Sequence, residues 1–234
     1  DLVSLRKSLQ DRHARAGELA YLLEPDLKEA RGGLRDIQAL RAISLTGVVT
    51  VPLEKISWAE ATLNNVRESL HIASGRGKDR LLFQEQDKVA SLLKYSDADA
   101  MMSDVARAAR SVDFLLNYTW HALEHKSTDG ISRILRRDRV ATVAKNVSAS
   151  NREISIDPLN SLDEDPVVGL RAAATAAQLG LPLALDSCTE LAARLKSGEG
   201  KLSNPWPEEA RELLITLIGA GETMVGIFES LDQE

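Results

Sequence analysis

Aromatic side chains are scarce in this 234-residue chain: phenylalanine, tryptophan and tyrosine together make up 4% of it, while hydrophobic residues as a whole reach 44%. A core must come from Leu, Ala, Val and Ile, a composition that leans towards helical packing. Trp58, Trp120 and Trp206 are too dispersed to form a stacking platform and read as packing residues. The single cysteine, Cys188, excludes an internal disulfide and a cysteine-rich metal site, and it fits a reducing, cytoplasmic setting. Near a helix start, Cys188 reads as a small buried residue. No apolar run approaches the ~18 residues of a membrane-spanning helix. The first residues, Asp1-Leu2-Val3-Ser4, carry neither Met nor a signal-peptide pattern, and Leu231-Asp232-Gln233-Glu234 lacks a helix stop, so both ends read as cuts within a longer polypeptide. Self-sufficient catalytic motifs are missing: there is no Gly-x-Ser-x-Gly, no P-loop and no His-Glu-x-x-His. Basic charge is also in deficit. A net charge of -6 argues against nucleic acid binding over the whole surface, and the local run Arg133, Arg136, Arg137 and Arg139 reads as a solvated edge beside a short strand.

What is present is helical periodicity. Leu2, Leu5, Leu9, Ala16 and Leu19 space an amphipathic helix, and Pro25 then imposes a short extended segment. Leu34, Ile37, Leu40 and Ile43 mark a helix stopped by Thr46-Gly47. A longer pattern from Pro52 ends at Gly75 and Gly77. Asp79 opens a segment through Leu92, and Ser96 or Asp97 caps a long helix to about His125. After the turn at Ser127–Gly130, the Val- and Ile-bearing runs 139–145 and 152–157 predict a small hairpin, a β insert near 133–157. Helices follow from Asp165-Pro166, from Asp186-Ser187, after Asn204-Pro205-Trp206-Pro207, and from Met224 to Leu231. The fold class is mainly α: a multi-helix bundle with a short extended N-terminal segment and a small β-hairpin insert.

Chemistry concentrates in Glu24-Pro-Asp-Leu-Lys-Glu-Ala-Arg-Gly-Gly-Leu-Arg-Asp-Ile-Gln38. Arg31 and Arg35 offer planar donors suited to phosphate. Gly32 and Gly33 permit close backbone approach or positive φ, and the amides opening the following helix are expected to be unpaired donors. Glu24, Asp26, Glu29 and Asp36 can either hold Mg²⁺ or brace the arginines. The bland alternative is a charged strand-to-helix turn held by its own salt bridges. A second cluster, Arg76, Lys78 and Arg80 around Asp79, either meets a phosphate or acidic partner or consists of a capping Asp79 and an Arg80 paired to a carboxylate. His121 and His125, at i and i+4, lack a third ligand at a fixed spacing and read as a surface or packing pair.

The Glu24–Gln38 segment resembles the signature that follows the nucleotidyltransferase core in the bifunctional uridylyltransferase/uridylyl-removing enzymes of the PII nitrogen-signalling protein; glutamine synthetase adenylyltransferase carries a related version. Asp79-Arg-Leu-Leu-Phe-Gln-Glu-Gln86 is similar to a later segment of that family, and Glu229–Gln233 to the run leading into its HD phosphohydrolase domain. The resemblance implies that residues 1–38 are the tail of the transferase core and 39–234 a helical linker domain. The upstream Gly-Ser and Asp-x-Asp motifs and the downstream His-Asp pair are not in this sequence, so the chain alone is expected to be inactive. It further implies a parent that transfers UMP from UTP to a PII tyrosine, or AMP from ATP in some relatives, with Mg²⁺ bound mainly outside this chain. Lys28, Arg31, Gly32, Gly33 and Arg35 would then be nucleotide-binding candidates and Glu24 and Asp36 supporting acids. The competing reading is a non-catalytic helical module that binds PII or couples flanking domains.

Overall fold

The computed structural model describes residues 1–132, 140–150 and 153–232. The chain forms two compact units, Asp1–Ser127 and Thr128–Glu234. The basic run Arg133–Arg139 lies outside the described residues, as does the side chain of His125. Among the described residues, no helix is long and apolar enough to cross a membrane.

In the first unit α1 (Leu2–Ala16), α2 (Leu34–Leu45), α3 (Ser57–Ser74), α4 (Phe83–Leu92) and residues 98–127 of the long α5 (Ala98–Ser132) supply the helices. Caps fix their ends. The Asp1 carboxylate accepts from the Val3 amide at 2.8 Å, and Asp97 from Ala100 at 2.7 Å. Gly75, at φ +64°, closes α3 in the left-handed conformation. One continuous core joins Leu9 of α1, Leu27 and Ala30 of the extended segment, Leu34, Ile37 and Leu40 of α2, Leu63 and Leu70 of α3, and Met101, Val105 and Val112 of α5. Residues up to 38 therefore pack with the helices that follow them.

The second unit sets a three-stranded antiparallel sheet, β1 (Ala141–Ala144), β2 (Val147–Ser150) and β3 (Glu153–Ile156), against α6 (Val168–Leu179). The β insert thus has one strand more than the hairpin expected from the sequence. Residues 147–150, which lie between the two runs expected to be strands, pair with both neighbours because Asn146 turns the chain at φ +56°. Its side chain donates to Asp165 at 2.8 Å. Val147 and Ile154 are fully buried beneath α6, whose Ala172, Ala173, Ala176 and Ala177 allow close approach. α7 (Leu185–Lys196), α8 (Glu208–Gly219) and α9 (Glu222–Asp232) complete the unit. Buried Arg171 organises it: its guanidinium bonds both oxygens of Asp165 at 2.6 and 3.2 Å, Glu209 at 2.5 Å and the Lys145 carbonyl at 3.1 Å. Asp165 is accordingly the ion-pair partner of Arg171. Cys188 is buried in the same core.

Candidate functional site

The charged turn at 24–36 is held from three directions. From α1, Arg12 donates to the Glu29 carbonyl at 2.8 Å and to Asp36 at 2.5 Å, and His13 Nε2 lies 2.9 Å from the same carboxylate. Within the turn the Gly32 amide donates to Asp36 Oδ2 at 2.7 Å. Asp36 is completely buried. Burial by itself raises its carboxyl, but the hydrogen bonds and charges of His13 and Arg12 outweigh that and hold it below the usual carboxylate range. From α5, Asp113 accepts from Arg31 Nε at 2.6 Å, while Glu18 lies 3.4 Å from the same guanidinium. Burial keeps the Asp113 carboxyl high against the pull of Arg31.

The third direction is the Asp79 cluster. The Leu27 amide donates to the Asp79 carbonyl and the Leu81 amide to the Pro25 carbonyl, both at 2.9 Å, so 25–27 and 79–81 run as a short antiparallel pair. Asp79 opens no helix, since α4 starts at Phe83. Its carboxylate instead gathers Arg67 at 2.6 Å, His71 at 3.0 Å and Lys28 at 3.7 Å. Burial acts to raise it, and the donors and charges of Arg67, His71 and Lys28 bring it down. Glu24 accepts from the Phe83 amide at 3.0 Å and pairs with Arg80 at 3.6 Å. Gln86 donates to the Leu23 carbonyl at 2.7 Å. The two segments singled out in the sequence are therefore joined in space.

This placement separates the candidates. The amides opening α2 are paired, contrary to expectation: Gly33 donates to Ala30, Leu34 to Leu27 and Arg35 to Lys28, at 2.9 to 3.1 Å. The preceding turn folds its own carbonyls over the helix start. A Cβ on Gly32, at φ +82°, would lie 2.5 Å from the Ala109 carbonyl oxygen of α5, and one on Gly33 within 3.0 Å of three turn carbonyls. The close approach these glycines permit is to the protein's own backbone. Arg31 and Asp36 are committed to internal pairs. Lys28 and Arg35 keep one side open: the Arg35 side chain is 49% exposed and meets Glu29 at 3.3 Å. Arg76 and Lys78 are exposed. Among the described residues no group of three or more His, Cys, Asp or Glu is arranged to hold a metal. Glu24 and Asp36 accept from amides and cations of the chain itself.

Arg12, His13, Asp113, Arg67 and His71 were not singled out in the sequence. Only the Arg67-x-x-x-His71 spacing, which puts both cations on one face of α3, signals any of them. Trp58 and Trp120 lie under the guanidinium groups of Arg107 and Arg6, at 4.9 and 5.6 Å.

Comparison with known proteins adds the remaining information. A family profile described as GlnD PII-uridylyltransferase matches residues 3–47 and 50–120. A bifunctional uridylyltransferase/uridylyl-removing enzyme of Streptomyces coelicolor is 40% identical over 245 residues, covering 100% of this chain and 29% of that protein. The Mycobacterium tuberculosis H37Rv protein of the same name is 34% identical over 95% of this chain and 28% of its own length. That of Cereibacter sphaeroides is 38% identical over 47% of the chain and 13% of its own. The chain spans less than a third of the length of these relatives. No solved structure matches. With the matched profile covering the turn, its α1 clamp and the Asp79 cluster, the chain belongs to the GlnD PII-uridylyltransferase family.

Proposed function

We propose that the full-length protein transfers UMP from UTP to a tyrosine of PII, and that this chain is its helical linker, contributing Lys28 and Arg35 to the phosphate side of the nucleotide site. The observation that carries this reading is the division of labour within the turn. Arg31 and Asp36 hold the turn in place, whereas Arg35 is tied to an exposed carboxylate by one long contact. An exposed pair is worth about 0–1 kcal/mol, so its guanidinium is released at little cost to a phosphate, where planar bidentate bonding is stronger. Lys28, one-third exposed and 3.7 Å from Asp79, is placed in the same way. These cations would neutralise charge that develops on the departing pyrophosphate. Mg²⁺, in this reading, is held outside this chain and supplies charge neutralisation at the triphosphate. Removal of UMP, and a cytoplasmic setting, belong to the same reading of the whole protein.

The test is Arg35→Ala in the full-length protein. Transfer of UMP to PII should fall roughly 10²-fold, the scale for losing one transition-state donor, while the thermal midpoint stays put. Transfer at the parental rate would remove Arg35 from the mechanism.

A further inference from the structure

The face of the first unit formed by Tyr21, Leu23 and Phe83 stands exposed, with no element packed over it among the described residues. These side chains are 68%, 81% and 72% exposed, while Leu19 and Leu81, two residues away on either strand of the chain, are 1% and 0% exposed. The outward set cannot turn inward, because the backbone beneath it is pinned. The Leu23 carbonyl is taken by Gln86, the Phe83 amide by Glu24 and the Pro25 carbonyl by the Leu81 amide. Between them lies an open depression of about 820 Å³, edged by Arg15, Arg80, Glu24 and Asp26. Contiguous apolar side chains of this kind, held outward and rimmed with charge, mark a contact surface.

We propose that this face seats the nucleotidyltransferase core of the same polypeptide, an inference that rests on the function proposed above. Two observations choose this occupant. The relatives carry more than twice as much chain outside the matched region as within it, so a covalently linked module is available at high effective concentration. The face is also continuous with the turn: Glu24 on its rim pairs with Arg80, and Asp26 leads directly to Lys28, which pairs with Asp79, the neighbour of Arg80 in the sequence. A core resting here is brought alongside the cations it needs. The rim, carrying both signs, supplies orientation.

The experiment places a photo-crosslinking phenylalanine analogue at position 83 of the full-length protein and maps the adducts by mass spectrometry, with PII and UTP present. Adducts to the transferase core at monomer mass are expected, and Leu23→Glu should abolish them and lower UMP transfer at least tenfold. As Leu23 is exposed within the first unit, the substitution should leave the thermal midpoint of the 234-residue chain unchanged. Adducts only to PII or to a second copy would overturn the proposal, as would an absence of adducts with transfer by Leu23→Glu and Phe83→Glu at the parental rate. Should the parental protein transfer no UMP, the functional reading fails, and the map of adducts still decides where the core rests.

Discussion

Gly32 offers the sharpest test of how the turn is built. Replacing it with alanine introduces two separate penalties. The backbone sits at φ +82°, where a residue with a Cβ loses about 1–2 kcal/mol. The new methyl would also meet the Ala109 carbonyl oxygen at 2.5 Å and its carbonyl carbon at 3.0 Å. That oxygen belongs to the backbone of α5, which cannot rotate out of the way as a side chain can, so overpacking adds about 1–3 kcal/mol. Gly47 supplies the control, since it stands at φ +66° with nothing within 4 Å of its Cβ position. Gly47→Ala therefore incurs the conformational penalty alone. Urea and thermal unfolding followed by circular dichroism should show Gly32→Ala destabilised by about 2–5 kcal/mol, a fall in midpoint of roughly 4–20 °C, with Gly47→Ala losing about 1–2 kcal/mol. If the two variants unfold together, the close packing of the turn on α5 is not what requires glycine.

Two further outcomes follow from the buried ion pairs. Asp36 resists protonation in the folded protein, so its contribution is complete above the ordinary carboxylate range and is lost as pH falls through its lowered value. Urea midpoints measured from pH ~7 down to ~3 should drop steeply for the parental chain and less steeply for Asp36→Asn. In the second unit, Arg171→Met leaves Asp165 buried without its cation and should cost about 3–5 kcal/mol. Adding Asp165→Asn should recover part of that loss, and a double variant no better than the single would refute the pairing as its cause.

Features set by local chemistry were legible in the sequence. The spacing of Leu34, Ile37, Leu40 and Ile43 marked α2, the pair Ser96 and Asp97 marked the start of α5, with Asp97 the residue that caps it, and Gly75 marked the end of α3, because periodicity and caps act over a few residues. Strand β2 was hidden since Val147-Ser148-Ala149-Ser150 is short and rich in serine, and Ser148 is buried through its bond to Asp157 at 2.6 Å rather than through apolar character. The role of Asp79 was hidden for another reason: its partners Lys28, Arg67 and His71 come from two other elements, one of them the distant turn. Arg80 did pair with a carboxylate, as one of the two readings had it, and that carboxylate is Glu24. The Gly-Gly pair was legible as a site of close approach, but its counterpart, Ala109 on α5, left no mark at all in the local pattern. The boundary between compact units at 127/128 likewise depends on which helices share a core and not on composition.

The pairing of 25–27 with 79–81 constrains how this protein can change over time. Its links are main-chain amides and carbonyls, which every residue except proline carries in full, so side-chain replacement leaves them standing. Chain length is the vulnerable quantity. An extra residue between Pro25 and Asp26 would shift parity, sending Leu27 out and Asp26 in. The stretch from Gly75 to Lys78, where a methyl on either glycine would meet open space, can absorb insertions without disturbing the ladder. Lineages of this family should therefore differ in the length of that connection while the turn keeps its residue count.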